Sequence, residues 1–147
     1  MIKRNHNKGG REMTDCIFCK IANGEIPSST IYEDDDFRVI LDIFPASRGH
    51  ALIIPKQHAR DLYEISEEQI QKAAILAKRI GMKMKEVLKF NGLNIVQNND
   101  LAAGQTVFHF HFHLIPRYDG DDVTIKWPSK EIADEDREYL VKVLAEK

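Results

Sequence analysis

The chain has 147 residues, 43% hydrophobic and 30% charged, with a formal net charge of −2. That is enough chain for one compact domain and hardly two. The near-neutral balance gives no global pull towards nucleic acid or an anionic membrane, and apolar runs such as ALII (51–54) are far too short to span a bilayer.

Residues 1–13 are polar, basic and glycine-rich, with no apolar stretch, so they do not read as a secretory signal. They are read as a flexible extension, with Met13 as an alternative natural start, and residues 14–147 as the single folded domain. The expected compartment is the reducing cytoplasm. There, the two cysteines are better explained as metal ligands or free thiols than as a disulfide.

CIFCKIANGEIP (16–27) predicts a short helix or knuckle closed by Gly24 and Pro27. TIY and FRVILDI, rich in β-branched and aromatic residues, predict two strands with EDDD (33–36) as the turn between them. PASRG (45–49) is a turn and HALIIP (50–55) a short buried strand. The clearest helix covers 65–90, where Ile70, Ala73, Ala74, Ala77, Ile80, Met84 and Val87 recur at helical spacing. Ser66 and Gln69 suit a capping box, and Ile65 with Ile70 a hydrophobic staple around it. Gly81 inside this helix costs roughly 1 kcal/mol relative to alanine. It either admits a close approach, as across a dimer interface, or is tolerated on an exposed face. LNIVQ (93–97) predicts a strand, NNDLAAGQ (98–105) a loop, VFHFHFHLIPRY (107–118) a long strand, and 129–147 a second amphipathic helix. Strands with segregated helices predict an α+β fold on an antiparallel sheet.

Three of the six histidines, His109, His111 and His113, fall within five residues and alternate with Phe110 and Phe112. On a strand the histidines line one face and Phe110, Phe112 and Leu114 the other. Imidazoles placed so need partners if buried. The residues alone allow a half-exposed polar face, a metal cluster, or a division of labour between ligation and chemistry. Cys16 and Cys19 form C-x-x-C, which zinc knuckles and redox pairs share.

HFHFHLI resembles the signature of the histidine-triad (HIT) family of nucleotide hydrolases and transferases. NNDLAAGQTVF, LDIFPASRGHALIIPKQH and CIFCKI…GEIP resemble that family too, in the same order, over Cys16 to Tyr118. The resemblance implies the HIT-like fold, with about five antiparallel strands, one long helix and a C-terminal helix of bacterial type. It implies that His111 attacks the α-phosphorus of a nucleotide, forming a nucleotidyl-histidine that water then hydrolyses. The His109 carbonyl would hold the His111 ring, and His113 would meet the phosphate and the leaving group. Asn98 and the backbone from Gly104 through Gln105 to Val107 would bind phosphate, and Thr106, where relatives often carry serine, would be catalytic through its hydroxyl at the phosphate and leaving group. Asp42 would accept the ribose hydroxyls, and Ile17, Phe18, Ile21, Ile40 and Ile43 would form the base slot. A structural zinc ion would be held by Cys16, Cys19, His50 and His109. His58 is assigned a structural part only, and His6 none.

The same resemblance implies a nucleotide hydrolase acting on purine nucleoside phosphoramidates and acyl- or amino-adenylates. The alternatives are a diadenosine-polyphosphate hydrolase and a zinc-stabilised nucleotide-binding scaffold with little turnover. The expected partners are a small nucleotide and a second copy of the chain, through helix 66–90 and the strand from Leu93, with neither membrane nor nucleic acid. Trp127-Pro128 resembles an element that in some relatives reaches the partner's active site, at longer spacing here.

Overall fold

The computed structural model describes residues 15–146, so the expectations for the N-terminal extension lie outside the described residues. The elements are α1 (Ile17–Ala22), β1 (Thr30–Glu33), β2 (Phe37–Leu41), β3 (Ala51–Pro55), α2 (Glu67–Leu88), β4 (Gly92–Val96), β5 (Phe112–Arg117) and α3 (Asp134–Leu144). The five strands form one antiparallel sheet in the order β1-β2-β3-β5-β4. This is the expected α+β architecture.

Every residue of β3 is buried, because this central strand is covered on both faces. Ala51 and Ile53 join Phe37, Val39, Phe110 and Leu114 under Ala73, Leu76, Ala77 and Met84 of α2. Leu52 and Ile54 face the other way, towards Ile40 and the α1 residues Phe18 and Ala22. His113 pairs directly with Leu52, which places it on the α1 face, whereas Leu114 belongs to the α2 face. The alternation of His and Phe thus sorts imidazoles to one side of the sheet and phenyl rings to the other.

The predicted strand 107–118 is much shorter. β5 starts at Phe112, whose pairing with Ile53 is the last rung of its ladder with β3. Before that point Phe110 N–H donates to Ala59 O at 2.7 Å, so the chain follows the turn after β3. Periodicity persists through such a departure and does not reveal it. α2 begins as expected, with Ser66 Oγ accepting Gln69 N–H at 3.1 Å. The reciprocal half of the capping box is missing, because the Gln69 carboxamide donates to Asp36 instead. α2 stops at Leu88, with Lys89 in the left-handed region. Gly81 serves a close approach within the chain: a Cβ there would stand 3.1 Å from Leu93 of β4. The C-terminal helix is confined to Asp134–Leu144 and buries no residue.

Candidate active site and metal centre

α1 presents its two cysteines together because Cys16 is its N-cap and Cys19 lies one turn in. Cys16 Sγ accepts Cys19 N–H at 3.4 Å. Both thiols meet two imidazoles. Cys16 Sγ is 3.3 Å from His109 Nδ1, Cys19 Sγ is 3.3 Å from His58 Nδ1 and 3.5 Å from His109 Nδ1, and the two Nδ1 atoms are 3.1 Å apart. Bonds of zinc to sulfur and nitrogen place tetrahedral neighbours roughly 3.3–3.8 Å apart, so the four atoms closely match one ion's ligand shell. His109 Nε2–H donates to Pro55 O at 2.7 Å, which directs the Nδ1 lone pair into the cluster, as an outer partner of a metal-bound imidazole does. Burial holds the His109 pKa down to about 4, so the ring is neutral. Burial and the neighbouring Cys16 push the Cys19 thiol up to about 12. A cation would have to displace that proton, as metals binding thiolates do.

His58 therefore stands where His50 was expected. The two histidines flank opposite ends of β3, whose five residues span about 16 Å. The Cys pair lies at the Pro55 end, out of reach of His50. The resemblance assigns the ligand to His50 and gives His58 a structural part only, and the end of β3 that α1 covers brings His58 to the cysteines instead.

At the other end of β3, Asp42, His50 and His113 bring their donor atoms within 4.8 Å of one another. Their hydrogen bonds argue against a metal. Ala46 N–H donates to His50 Nδ1 at 2.9 Å, so the neutral His50 ring carries its proton on Nε2. That Nε2–H donates to His113 Nδ1 at 2.9 Å, which leaves the His113 proton on Nε2. Asp42 Oδ2 lies 3.7 Å from His50 Nε2, and its Oδ1 accepts Phe44 N–H at 2.9 Å. The trio is a proton-ordered network beginning at a backbone donor. Burial lowers the pKa of His50, and burial with the nearby His111 and His50 lowers that of His113 to about 4.

His111 sits between the two groups. Its Nδ1–H donates to His109 O at 2.7 Å, the partner expected for it, so Nε2 keeps a bare lone pair. Its ring is 4.9 Å from Phe18, edge-on, and 4.8 Å from His113. Burial lowers its pKa despite that carbonyl, which keeps the ring neutral and nucleophilic near pH 7.

Phe18, Ile40, Ile21 and Val107 belong to one apolar cluster beside His111. Ile17 and Ile43 stand outside it, Ile43 being 79% exposed, so they can only rim a slot. In the loop 98–107, Gly104 N–H and Gln105 N–H close on Leu101 O and Asp100 O. Among the described residues the turn consumes neither Thr106 N–H nor Val107 N–H, which remain as donors in the same loop as half-buried Asn98. Gln105 was expected to serve through its backbone; its side chain is buried and bonded to Asp100 N–H and Arg60 O. A carboxamide so used has no reach to a ligand.

The family model of the HIT domain matches residues 23–120. The chain belongs to the HIT family. Among its relatives, the adenosine 5′-monophosphoramidase of Saccharomyces cerevisiae is 44% identical over 117 residues, 79% of this chain and 72% of the yeast protein. A Streptococcus mutans structure superposes with a TM-score of 0.87 at 36% identity, covering 98% of this HIT protein and 97% of that chain. A zinc-bound histidine triad family protein from Mycobacterium smegmatis gives 0.72 at 39% identity, covering 88% and 92%. Among the described residues of this HIT protein, no helix is long and apolar enough to cross a membrane.

Proposed function

We propose that this HIT protein hydrolyses purine nucleoside 5′-phosphoramidates and related adenylates through a nucleotidyl-histidine on His111. The observation that carries this reading is the His111 Nδ1–H bond to His109 O, which leaves Nε2 bare. Nε2 attacks the α-phosphorus as the bond to the leaving nitrogen breaks, and the amine departs with a proton supplied through His113 Nε2. Water then attacks the same phosphorus, breaks the phosphorus–His111 bond and returns a proton to His113. Thr106 N–H, Val107 N–H and Asn98 are the donors for the charge that develops on phosphate oxygen. Asp42 takes the ribose hydroxyls, with Phe18, Ile21 and Ile40 against the base. The name of the yeast relative supports the phosphoramidate class.

Zinc is the metal that two thiolates and two imidazoles suit best, and Cys16, Cys19, His58 and His109 would hold it in a closed site. When bound it supplies rigidity, because it fixes His109, whose carbonyl orients the nucleophile. The zinc-bound mycobacterial relative supports this. We also propose a homodimer. β4 is an edge strand, and a groove of about 300 Å³ between it and α2 is lined by Ala77, Gly81, Met82, Phe90, Leu93 and Ile95, with Met82 63% and Ile95 51% exposed.

The test is turnover of adenosine 5′-monophosphoramidate and of diadenosine polyphosphates by the zinc-loaded protein, with His111→Ala in parallel. Wild type should cleave the phosphoramidate faster, and His111→Ala should bind adenosine monophosphate without turnover. Activity surviving in His111→Ala would refute the nucleophile, and faster dinucleotide cleavage would reassign the substrate. A wild type that binds nucleotide with no turnover would make the protein a scaffold.

A further inference from the structure

Gln105 is 1% exposed, and a carboxamide that deep needs partners for its acceptor and both donors. Its Oε1 accepts Asp100 N–H at 2.8 Å, and its Nε2 donates to Arg60 O at 2.8 Å and Val107 O at 3.3 Å. Its own backbone N–H donates to Asp100 O at 3.1 Å. Gln105 therefore grips both the N–H and the C=O of Asp100. That residue has φ 69 and ψ 163, a combination almost reserved for glycine, which persists elsewhere only when the surroundings enforce it.

The same loop is seated on the turn 59–62 at further points. Asn99 Oδ1 accepts Leu62 N–H at 2.8 Å. The Arg60 guanidinium donates to Asp100 Oδ1 at 3.1 Å and lies 4.9 Å over the Phe108 ring. This turn directly follows His58, one corner of the metal cluster. The chain thus leads from His58 to Arg60, whose contacts with Gln105 and Asp100 run on to the loop that carries Asn98, Thr106 and Val107.

We propose that Gln105 is a positioning residue for the chemistry at His111. Its buried carboxamide holds Asp100 in a glycine-like conformation and so sets the phosphate-facing donors of the loop. This extends the hydrolase reading and rests on it for its kinetic readout. Asp42, Phe18, Ile21 and Ile40 lie outside the loop, so the ribose and base contacts do not depend on the clamp.

The experiment compares Gln105→Met and Gln105→Glu, each with and without Asp100→Gly, on adenosine 5′-monophosphoramidate. In Gln105→Met, kcat should fall roughly 10- to 100-fold, the scale of a small misplacement of reacting groups. KM should change by less than about threefold, since the ribose and base contacts are intact. Adding Asp100→Gly should recover kcat roughly tenfold, because glycine adopts that backbone conformation without a steric cost. Gln105→Glu keeps the shape and the acceptor but loses both donors, so it should follow the same pattern if the methionine variant does not fold. A carboxamide that touched substrate would raise KM and show no rescue by Asp100→Gly, and that result overturns the proposal. Amide hydrogen exchange over 98–107 reads the clamp even in a protein without turnover. Exchange should quicken in Gln105→Met, and unchanged exchange would overturn the clamp independently of the hydrolase reading.

Discussion

Replacing His58 by alanine removes one of the four ligand atoms that converge from α1, the turn after β3 and the segment before β5. Structural zinc in small Cys/His sites is bound with an apparent free energy of about 10–16 kcal/mol near neutral pH. An even share for one ligand of four is then about 2.5–4 kcal/mol, which corresponds to zinc affinity weakened roughly 10²- to 10³-fold. His50→Asn should leave that affinity within about threefold of wild type, because its ring serves Ala46 N–H and His113, and additivity holds for groups without shared partners. The assay is competition for zinc against a chromophoric chelator, with metal analysis of the purified variants. Affinity should rise with pH in both proteins, since burial and Cys16 push the Cys19 thiol up to about 12 and the metal must displace that proton. If His50→Asn lost zinc while His58→Ala kept it, the reasoning from the two ends of β3 would be refuted.

Three further outcomes are expected. His113 has a folded pKa of about 4, below the ordinary 6.5, so the unfolded chain binds the extra proton between those values. Stability is therefore complete above pH 6.5 and declines as pH falls towards 4, by about 2 kcal/mol for this group after a discount for partial solvent access. Urea midpoints at pH 7 and pH 4.5 measure it, and a midpoint higher at pH 4.5 would contradict the sign. Gly49→Ala should destabilise by about 1–3 kcal/mol, because Gly49 has φ +91 and an added Cβ would collide with Leu88. The same shift should disturb His50 next door, so thermal unfolding and kcat should fall together. Phe110→Ala should cost about 3–5 kcal/mol in chemical denaturation, since the ring is fully buried and packs 5.2 Å from Phe112. A loss below about 1 kcal/mol would mean that the core there collapses freely.

Much of this protein is written locally. A period of two sends His111 and His113 to the α1 face and Phe110, Phe112 and Leu114 to the α2 face, and this survives where the strand itself does not. Ser66 starts α2 through its own hydroxyl, and the apolar run 51–54 announces a strand covered on both sides. These features depend on neighbours a few residues apart, so spacing and side-chain chemistry suffice. Contacts between distant segments are another matter. Whether His50 or His58 completes the cysteine pair depends on which end of β3 lies under α1. The His109 carbonyl that holds His111 was expected from the motif, whereas the protons of His109 and His50 are placed by Pro55 O and Ala46 N–H, backbone groups that no side-chain pattern encodes. Gln105 likewise belongs to a pocket motif by position, yet its carboxamide is turned inward by Asp100 and Arg60. Hydrogen-bond partners are set by where the chain's remote segments meet, and that meeting exists only in the folded molecule.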